Sequence, residues 1–260
     1  LNNYCVQLFE MIELNKINQV FFEQGFVVVR NIFSEKKIKK LLIELEKIKI
    51  RSIKIKNKNM HYTENKKVNT IHDINKYIKS GEVINFSKDR KILNIVNNLL
   101  GEKSSVRNIE FFLKPKKTGL RAPFHQDNFY WNILNKKALN VWIACTESNQ
   151  KNGGVCYYKN SHRMGIIRHE LSHEPGSSQK VPEKYLKKIN LNKIHPKLNI
   201  GDCIIHHCEV LHGSSANKSN KDRIGLVISY KGKSAKINKI KLKKYKNFLE
   251  KNLKHLKKFF

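Results

Sequence analysis

The chain is short of arginine and of acidic side chains, and it has no long apolar run. Only eight arginines (30, 51, 90, 107, 121, 163, 168 and 223) stand among 52 basic residues, against 21 Asp and Glu. A surface shaped to read bases or grip phosphates would use more arginine. The net charge of +31 is therefore read as the Lys, Asn and Ile excess of an A/T-rich genome, and a nucleic-acid partner is discounted, although the charge would still draw anionic substrates. No stretch approaches the roughly 20 apolar residues of a membrane span. The first residues, Leu1-Asn2-Asn3-Tyr4-Cys5, lack the basic-then-apolar pattern of a signal peptide. The five cysteines (5, 145, 156, 203 and 208) are odd in number and form no Cys-x-x-Cys. They read as reduced, mostly buried thiols, and the expected location is cytoplasmic. No internal repeat is visible.

What remains is a chain of 260 residues with 40% apolar content, enough for one domain with a sizeable core. Residues 1–105 read as helical support. A helix is expected over 6–24, with Phe9, Ile12, Ile17, Val20 and Phe21 apolar, followed by Gly25 and a buried strand Phe26-Val27-Val28-Val29. Ser34 should cap a second helix carrying Ile38, Leu41, Leu42, Leu45 and Ile48. Asp89 should cap a third that Gly101 stops. Residues 51–88 are polar and give no clear pattern. From 106 to 235 the pattern turns to short strands, over 106–114, 119–125, 138–147, 153–158, 202–208 and 223–231, which implies a sandwich or barrel. Residues 159–200 form a long polar insertion of the kind that covers sites, with a short helix after Pro182. Residues 236–260 read as a basic amphipathic helix (Ile240, Tyr245, Phe248, Leu249, Leu253, Leu256), expected to dock on its own domain rather than on a membrane.

One stretch organises the chain: Phe124-His125-Gln126-Asp127-Asn128-Phe129-Tyr130-Trp131. In a strand, residues two apart share a face, so His125 and Asp127 can reach one ion from one strand end. Two imidazoles and one carboxylate make the facial triad of non-haem Fe(II) oxygenases. A lone His-x-Asp is weak, and the segment from His212 to Arg223 strengthens it. Arg223 suits a bidentate carboxylate grip, and Ser214 adds a hydroxyl. His206 and His207 compete with His212 for the distal position. Adjacent strand residues point to opposite faces, so at most one of the two faces the cavity. His61 and His72 read as surface or hydrogen-bonded residues, and His162 as part of a structural turn.

These motifs resemble the phytanoyl-CoA dioxygenase family of Fe(II)/2-oxoglutarate oxygenases. The likeness runs through roughly residues 15–235. It includes Glu23-Gln24-Gly25-Phe26-Val27-Val28-Val29, Lys114-Pro115, His125-Gln126-Asp127 and Val141-Trp142-Ile143-Ala144. It continues through Asn152-Gly153-Gly154, Asn160-Ser161-His162 and the His212 to Arg223 segment. Asn160 stands where the family usually has Gly. The resemblance implies a mainly β fold with flanking helices, a double-stranded β-helix (a cupin-like jelly roll) with the metal in its mouth. It implies Fe(II) on His125, Asp127 and His212, with 2-oxoglutarate and O₂ consumed, succinate and CO₂ released, and an unactivated C–H of a small molecule hydroxylated. Matched by position, Arg223 and Ser214 would bind the distal carboxylate of 2-oxoglutarate. Gln126 and Trp142 would line its pocket, and Lys114 would add a polar contact. Trp142 could equally be core and Lys114 a solvated strand end, whereas the spacing of Arg223 to His212 favours the carboxylate role over a surface ion pair. A carboxylate at position 127 favours hydroxylation over halogenation, which needs that metal position open.

Three rival readings share parts of this pattern: a nucleic-acid or protein oxygenase of the same chemistry, a non-catalytic jelly-roll module, and a jelly-roll enzyme using another metal without 2-oxoglutarate. The set of His125, Asp127, His212 and Arg223 speaks against the second, and Arg223 with Ser214 against the third. The substrate is not legible. Phe129, Tyr130 and Trp131 shape the pocket or pack in the core. Arg121, His169 or lysines of the insertion could meet an anionic group.

Overall fold

The structure, a computed structural model, describes the backbone of residues 3–256 and the side chains of residues 11–252. Cys5, Phe9, Leu253 and Leu256, all read above from the sequence, have side chains outside the described residues. In chain order the elements begin with α1 (Asn3–Gln24), β1 (Phe26–Val29), α2 (Glu35–Lys54), β2 (Met60–Tyr62), β3 (Val68–Ile71), α3 (Glu82–Ser87) and α4 (Arg90–Leu100). There follow β4 (Ser104–Lys114), β5 (Ala122–His125), α5 (Asp127–Trp131), β6 (Ala138–Ala144), β7 (Val155–Tyr158), β8 (Glu170–Glu174) and β9 (Ser177–Lys180). The chain closes with α6 (Glu183–Leu186), β10 (Lys193–Ile194), β11 (Cys203–His207), β12 (His212–Ser214), β13 (Arg223–Gly232) and α7 (Lys239–Leu256).

The strands form a jelly roll. A seven-stranded antiparallel sheet runs β1-β11-β6-β13-β4-β3-β2 and faces a four-stranded sheet, β10-β7-β12-β5. Strand alternation divides the large sheet into two faces. Ile109, Phe111 and Leu113, Leu139, Val141 and Ile143, and Leu226, Ile228 and Tyr230 point outward. They pack on Ile17 and Phe21 of α1, Ile38, Leu41, Leu45 and Ile48 of α2, and Ile92, Val96 and Leu99 of α4. The residues between them point inward, where Phe26, Trp142, Ile204 and Val227 meet Tyr157 and Val210 in a second cluster. That inward face carries the polar residues considered below.

The helix signals hold for local reasons. Ser34 Oγ accepts from Lys37 N–H, and Asp89 Oδ1 accepts from Lys91 and Ile92 N–H. Gly101 closes α4 in the left-handed region, at φ 67°. In α1, Ile17 and Phe21 are buried as expected, but Ile12 is exposed. The N-terminal third is less purely helical than its sequence implied. Besides the expected strand β1, it supplies the β2–β3 pair to the large sheet, and Thr70 and Ile71 sit opposite Phe112 and Phe111. Strands this short give no period to read. The 159–200 insertion likewise contains the paired strands β8 and β9. Helix α7 is amphipathic as expected, but the stripe that turns inward is Leu242, Tyr245 and Leu249, and Ile240 and Phe248 are exposed. No helix of the described residues is long and apolar enough to cross a membrane.

Candidate active site

β5 and β12 are antiparallel neighbours, and His125 lies directly opposite His212. Side chains of such a pair stand on the same face, and the two imidazole centroids are 4.4 Å apart. Each ring is aimed by its own backbone. His125 Nδ1 lies 2.8 Å from Pro123 O, and His212 Nδ1 lies 3.0 Å from Val210 O. A carbonyl only accepts, so both Nδ1 atoms carry the proton and both Nε2 lone pairs face the cavity.

Asp127 completes the set, by a route different from the one its spacing suggested. It is not on the strand with His125 but on the first residue of α5, after Gln126 in extended conformation. The first turn of a helix favours a carboxylate. Asp127 Oδ1 lies 3.7 Å from His125 Nε2, and Asp127 Oδ2 lies 3.8 Å from His212 Nε2. Ligand atoms of His125, Asp127 and His212 all fall within 4.8 Å of one another, the spread expected around one divalent ion.

Two side chains of the large sheet hold that carboxylate. Asn140 and His206 are register partners on β6 and β11. Asn140 Nδ2 donates to Asp127 Oδ2 at 2.7 Å, and His206 Nε2 lies 3.0 Å from the same oxygen. Tyr157 OH, 3.0 Å from His206 Nδ1, fixes the ring in turn. Of the two competing histidines, His206 thus faces the cavity and braces Asp127. His207 points to the other side, against Phe21 and His162. Burial would raise the Asp127 carboxyl, but His212, His206 and His125 outweigh it and hold the group well below the usual carboxylate range. Burial pushes His125 and His212 down to about 4, so both are neutral near pH 7. Neutral imidazoles and an ionised carboxylate are the states that bind metal.

At the other end of the inward face, Arg223 of β13 is the register partner of Lys114 of β4. Both are buried, at 1% and 2% exposure, and no carboxylate of the described residues pairs with either. Lys114 Nζ donates to Ser214 Oγ at 2.6 Å and to Ser215 O. Arg223 Nη2 donates to Gly153 O at 2.7 Å, while its Nε and Nη1 have no partner. Burial lowers the pKa of Arg223 to about 9, and burial and the nearby Arg223 lower that of Lys114 well below its ordinary value. Two buried basic side chains, one of them a guanidinium with unused N–H groups, lack an anion, and a carboxylate is the group that a guanidinium edge fits. The Trp142 ring lies 5.3 Å from the Arg223 guanidinium. Gly225 makes room for it, since a Cβ there would stand 2.1 Å from Trp142 Cζ2.

The structure therefore brings together His125, Asp127 and His212, and separately Lys114, Ser214, Arg223 and Trp142. Gln126 departs from the expectation. It is fully buried, and its amide donates to Gly165 O and Glu209 O and accepts from Ile167 N–H. Those contacts tie down residues 165–167 and leave no polar atom for a ligand, so Gln126 does not line the pocket. Asn160, where the family has Gly, sits at φ 67°, a region that Asn tolerates better than other side chains. His162 is buried with Nε2 on Phe22 O, a structural role as expected. Sequence reading missed Asn140 and Tyr157. Asn140 was findable as the one polar residue in Ala138–Ala144, on the same face as Trp142.

The family model for phytanoyl-CoA dioxygenase (PhyH) matches residues 21–225. A probable alpha-ketoglutarate-dependent hypophosphite dioxygenase of Stutzerimonas stutzeri is 23% identical over 218 residues, covering 81% of this chain and 76% of the relative. Ectoine dioxygenase of Bordetella bronchiseptica is 23% identical over 82% of this chain and 73% of its own length. Human peroxisomal phytanoyl-CoA dioxygenase is 22% identical over 76% of this chain and 62% of its own. Among solved structures, EctD from S. alaskensis with bound Fe superposes with a TM-score of 0.71 at 19% identity, over 86% of this chain and 78% of that one. The epimerase SnoN in complex with Fe3+, alpha ketoglutarate and nogalamycin RO superposes at 0.68 and 17% identity, over 86% and 85%.

Proposed function

The chain belongs to the phytanoyl-CoA dioxygenase family, and from that premise we propose that it is an Fe(II)- and 2-oxoglutarate-dependent dioxygenase that hydroxylates an unactivated C–H of a small molecule. The observation that supports this most is the presence of two features inside one jelly roll. A neutral-imidazole and carboxylate triad has its Nε2 atoms free, and the buried Arg223 guanidinium, beside buried Lys114, stands without an anion.

In this reading His125, Asp127 and His212 hold Fe(II). Arg223, with Lys114 and Ser214, holds the distal carboxylate of 2-oxoglutarate, and Trp142 walls its pocket. The bound iron supplies the oxidation, with O₂ and 2-oxoglutarate consumed and succinate and CO₂ released. The chain's own residues bind, orient and exclude water. Asn140 and His206 fix the Asp127 carboxylate, and Asp127 occupies the metal position that halogenation would need open. The insertion 159–200 is proposed as a lid over the mouth. Val181 N–H donates to Phe124 O, and Tyr130 OH donates to Gln179 O. Tyr245 of α7 lies against Phe129 and Tyr130 and its hydroxyl lies 3.0 Å from Ser178 Oγ. We read the whole as one domain with a cytoplasmic location, supported by the unpaired thiols of Cys145, Cys156, Cys203 and Cys208.

The test is turnover of 2-oxoglutarate with Fe(II), ascorbate and air, read as succinate, across a panel of small-molecule substrates. Succinate that depends on iron and rises with one of the compounds supports the proposal. Absence of iron-dependent succinate with every compound contradicts it.

A further inference from the structure

One group beside the triad has no role in the proposed reaction. Strand β4 carries a bulge. Ser229 of β13 is level with Asn108, but the next residue, Tyr230, is level with Val106, so Arg107 is the extra residue. A bulge re-aims the side chain it inserts. Val106 packs with the helix-side core, whereas the Arg107 guanidinium lies 4.7 Å from the Trp131 ring centroid. Trp131 is the last residue of α5, the helix that Asp127 opens. Stacking fixes the guanidinium plane and leaves its N–H edges open to a planar anion.

Arg107 makes no hydrogen bond or ion pair among the described residues, although Glu110 and Asp127 are close enough to act on it electrostatically. Both acids are engaged elsewhere. Asp127 Oδ2 takes Asn140 and His206, and Glu110 Oε1 takes His72 Nδ1 at 2.8 Å and Asn108 Nδ2 at 2.6 Å. The surroundings are polar too. Ser229 has Asn108 on one side and Asn140 on the other. A row of amides, a hydroxyl and a carboxylate suits a short polar molecule and penalises a long acyl chain.

We propose that Arg107 is the substrate-recognition residue of this site and that it grips the carboxylate of a small polar substrate on the side of the triad away from Arg223. This rests on the functional reading above, in which the other carboxylate site is filled by 2-oxoglutarate.

Calorimetry tests it without turnover. Small carboxylic acids are titrated beside their primary amides into protein loaded with Mn(II) and saturating 2-oxoglutarate. At least one acid should bind, its amide should bind about tenfold or more weakly, and Arg107→Gln should lose a similar factor for the acid, as expected for one charge-assisted pair. Arg107→Lys should recover part of the loss, since it keeps the charge without the planar fork. Arg107→Gln should keep the metal-dependent heat of 2-oxoglutarate, which shows an intact fold and clamp. The proposal is overturned if no acid binds, if the amides bind as well, or if Arg107→Gln binds the acid as the wild type does. A wild type that gives no 2-oxoglutarate heat would instead overturn the functional reading.

Discussion

Replacing Arg223 by methionine should stabilise the protein that lacks metal and 2-oxoglutarate, and should abolish 2-oxoglutarate binding. Arg223 is buried to 1% exposure with two unpartnered nitrogens. Its pKa, pushed by burial from the ordinary guanidinium range down to about 9, implies that the charged form is disfavoured by up to about 5 kcal/mol at about 1.4 kcal/mol per pH unit. The charge is present at pH 7 in both folded and unfolded chains, so the folded state bears that penalty. Methionine has similar length and no charge. It gives up the bond to Gly153 O, which costs about 1–3 kcal/mol, and the contact with Trp142. A net gain of about 1–3 kcal/mol remains, or a few degrees in Tm for a chain of this size. Saturating Mn(II) and 2-oxoglutarate should reverse the order, because a ligand at 1,000 times its Kd adds about 4.1 kcal/mol to the wild type only. Thermal unfolding by circular dichroism at pH 7, with and without ligands, reads both. A variant that loses several degrees in the absence of ligand would contradict a burdened guanidinium and make it a structural tie to Gly153.

Further outcomes follow from individual contacts. Gln126→Leu should lose roughly 3 kcal/mol or more of stability, because it strands Gly165 O, Glu209 O and Ile167 N–H; unchanged stability with weakened 2-oxoglutarate binding would return Gln126 to the pocket wall. His206→Leu should weaken metal binding about 10- to 100-fold by freeing Asp127, and an unchanged metal titration would contradict that bracing role. Acid should destabilise the metal-free protein. His125 and His212 are held at about 4 when folded and titrate near 6.5 when unfolded, so their contribution is intact above pH 6.5. It is lost as pH falls from 6.5 to 4, by up to about 3 kcal/mol per imidazole. The denaturation midpoint at pH 7.5 and at pH 5 measures this, and equal midpoints would count against it.

The longer strands of the large sheet, β4, β6, β11 and β13, were legible because their apolar residues recur on one face and their turns carry Gly, Asn and Pro. The same alternation hid part of the site. His125 and Asp127 satisfy a strand spacing, yet the chain turns into α5 between them, and a five-residue helix leaves no period. Gln126 sits between two ligands and was expected among them, but its side chain leaves the cavity. The Lys114–Arg223 pairing depends on the register of two strands more than 100 residues apart, and the Arg107 bulge on a single extra residue. Neither is recoverable from one chain's pattern. The paired strands β2–β3 and β8–β9 were missed for their shortness.

The most direct measurement is a calorimetric titration of 2-oxoglutarate into anaerobic protein, with and without Fe(II) or Mn(II), beside His212→Ala. The expected result is binding that requires the metal, uses one site per chain and is lost in His212→Ala. Absence of binding in the metal-loaded wild type, or binding indifferent to metal and to His212, would contradict a 2-oxoglutarate oxygenase built on this triad.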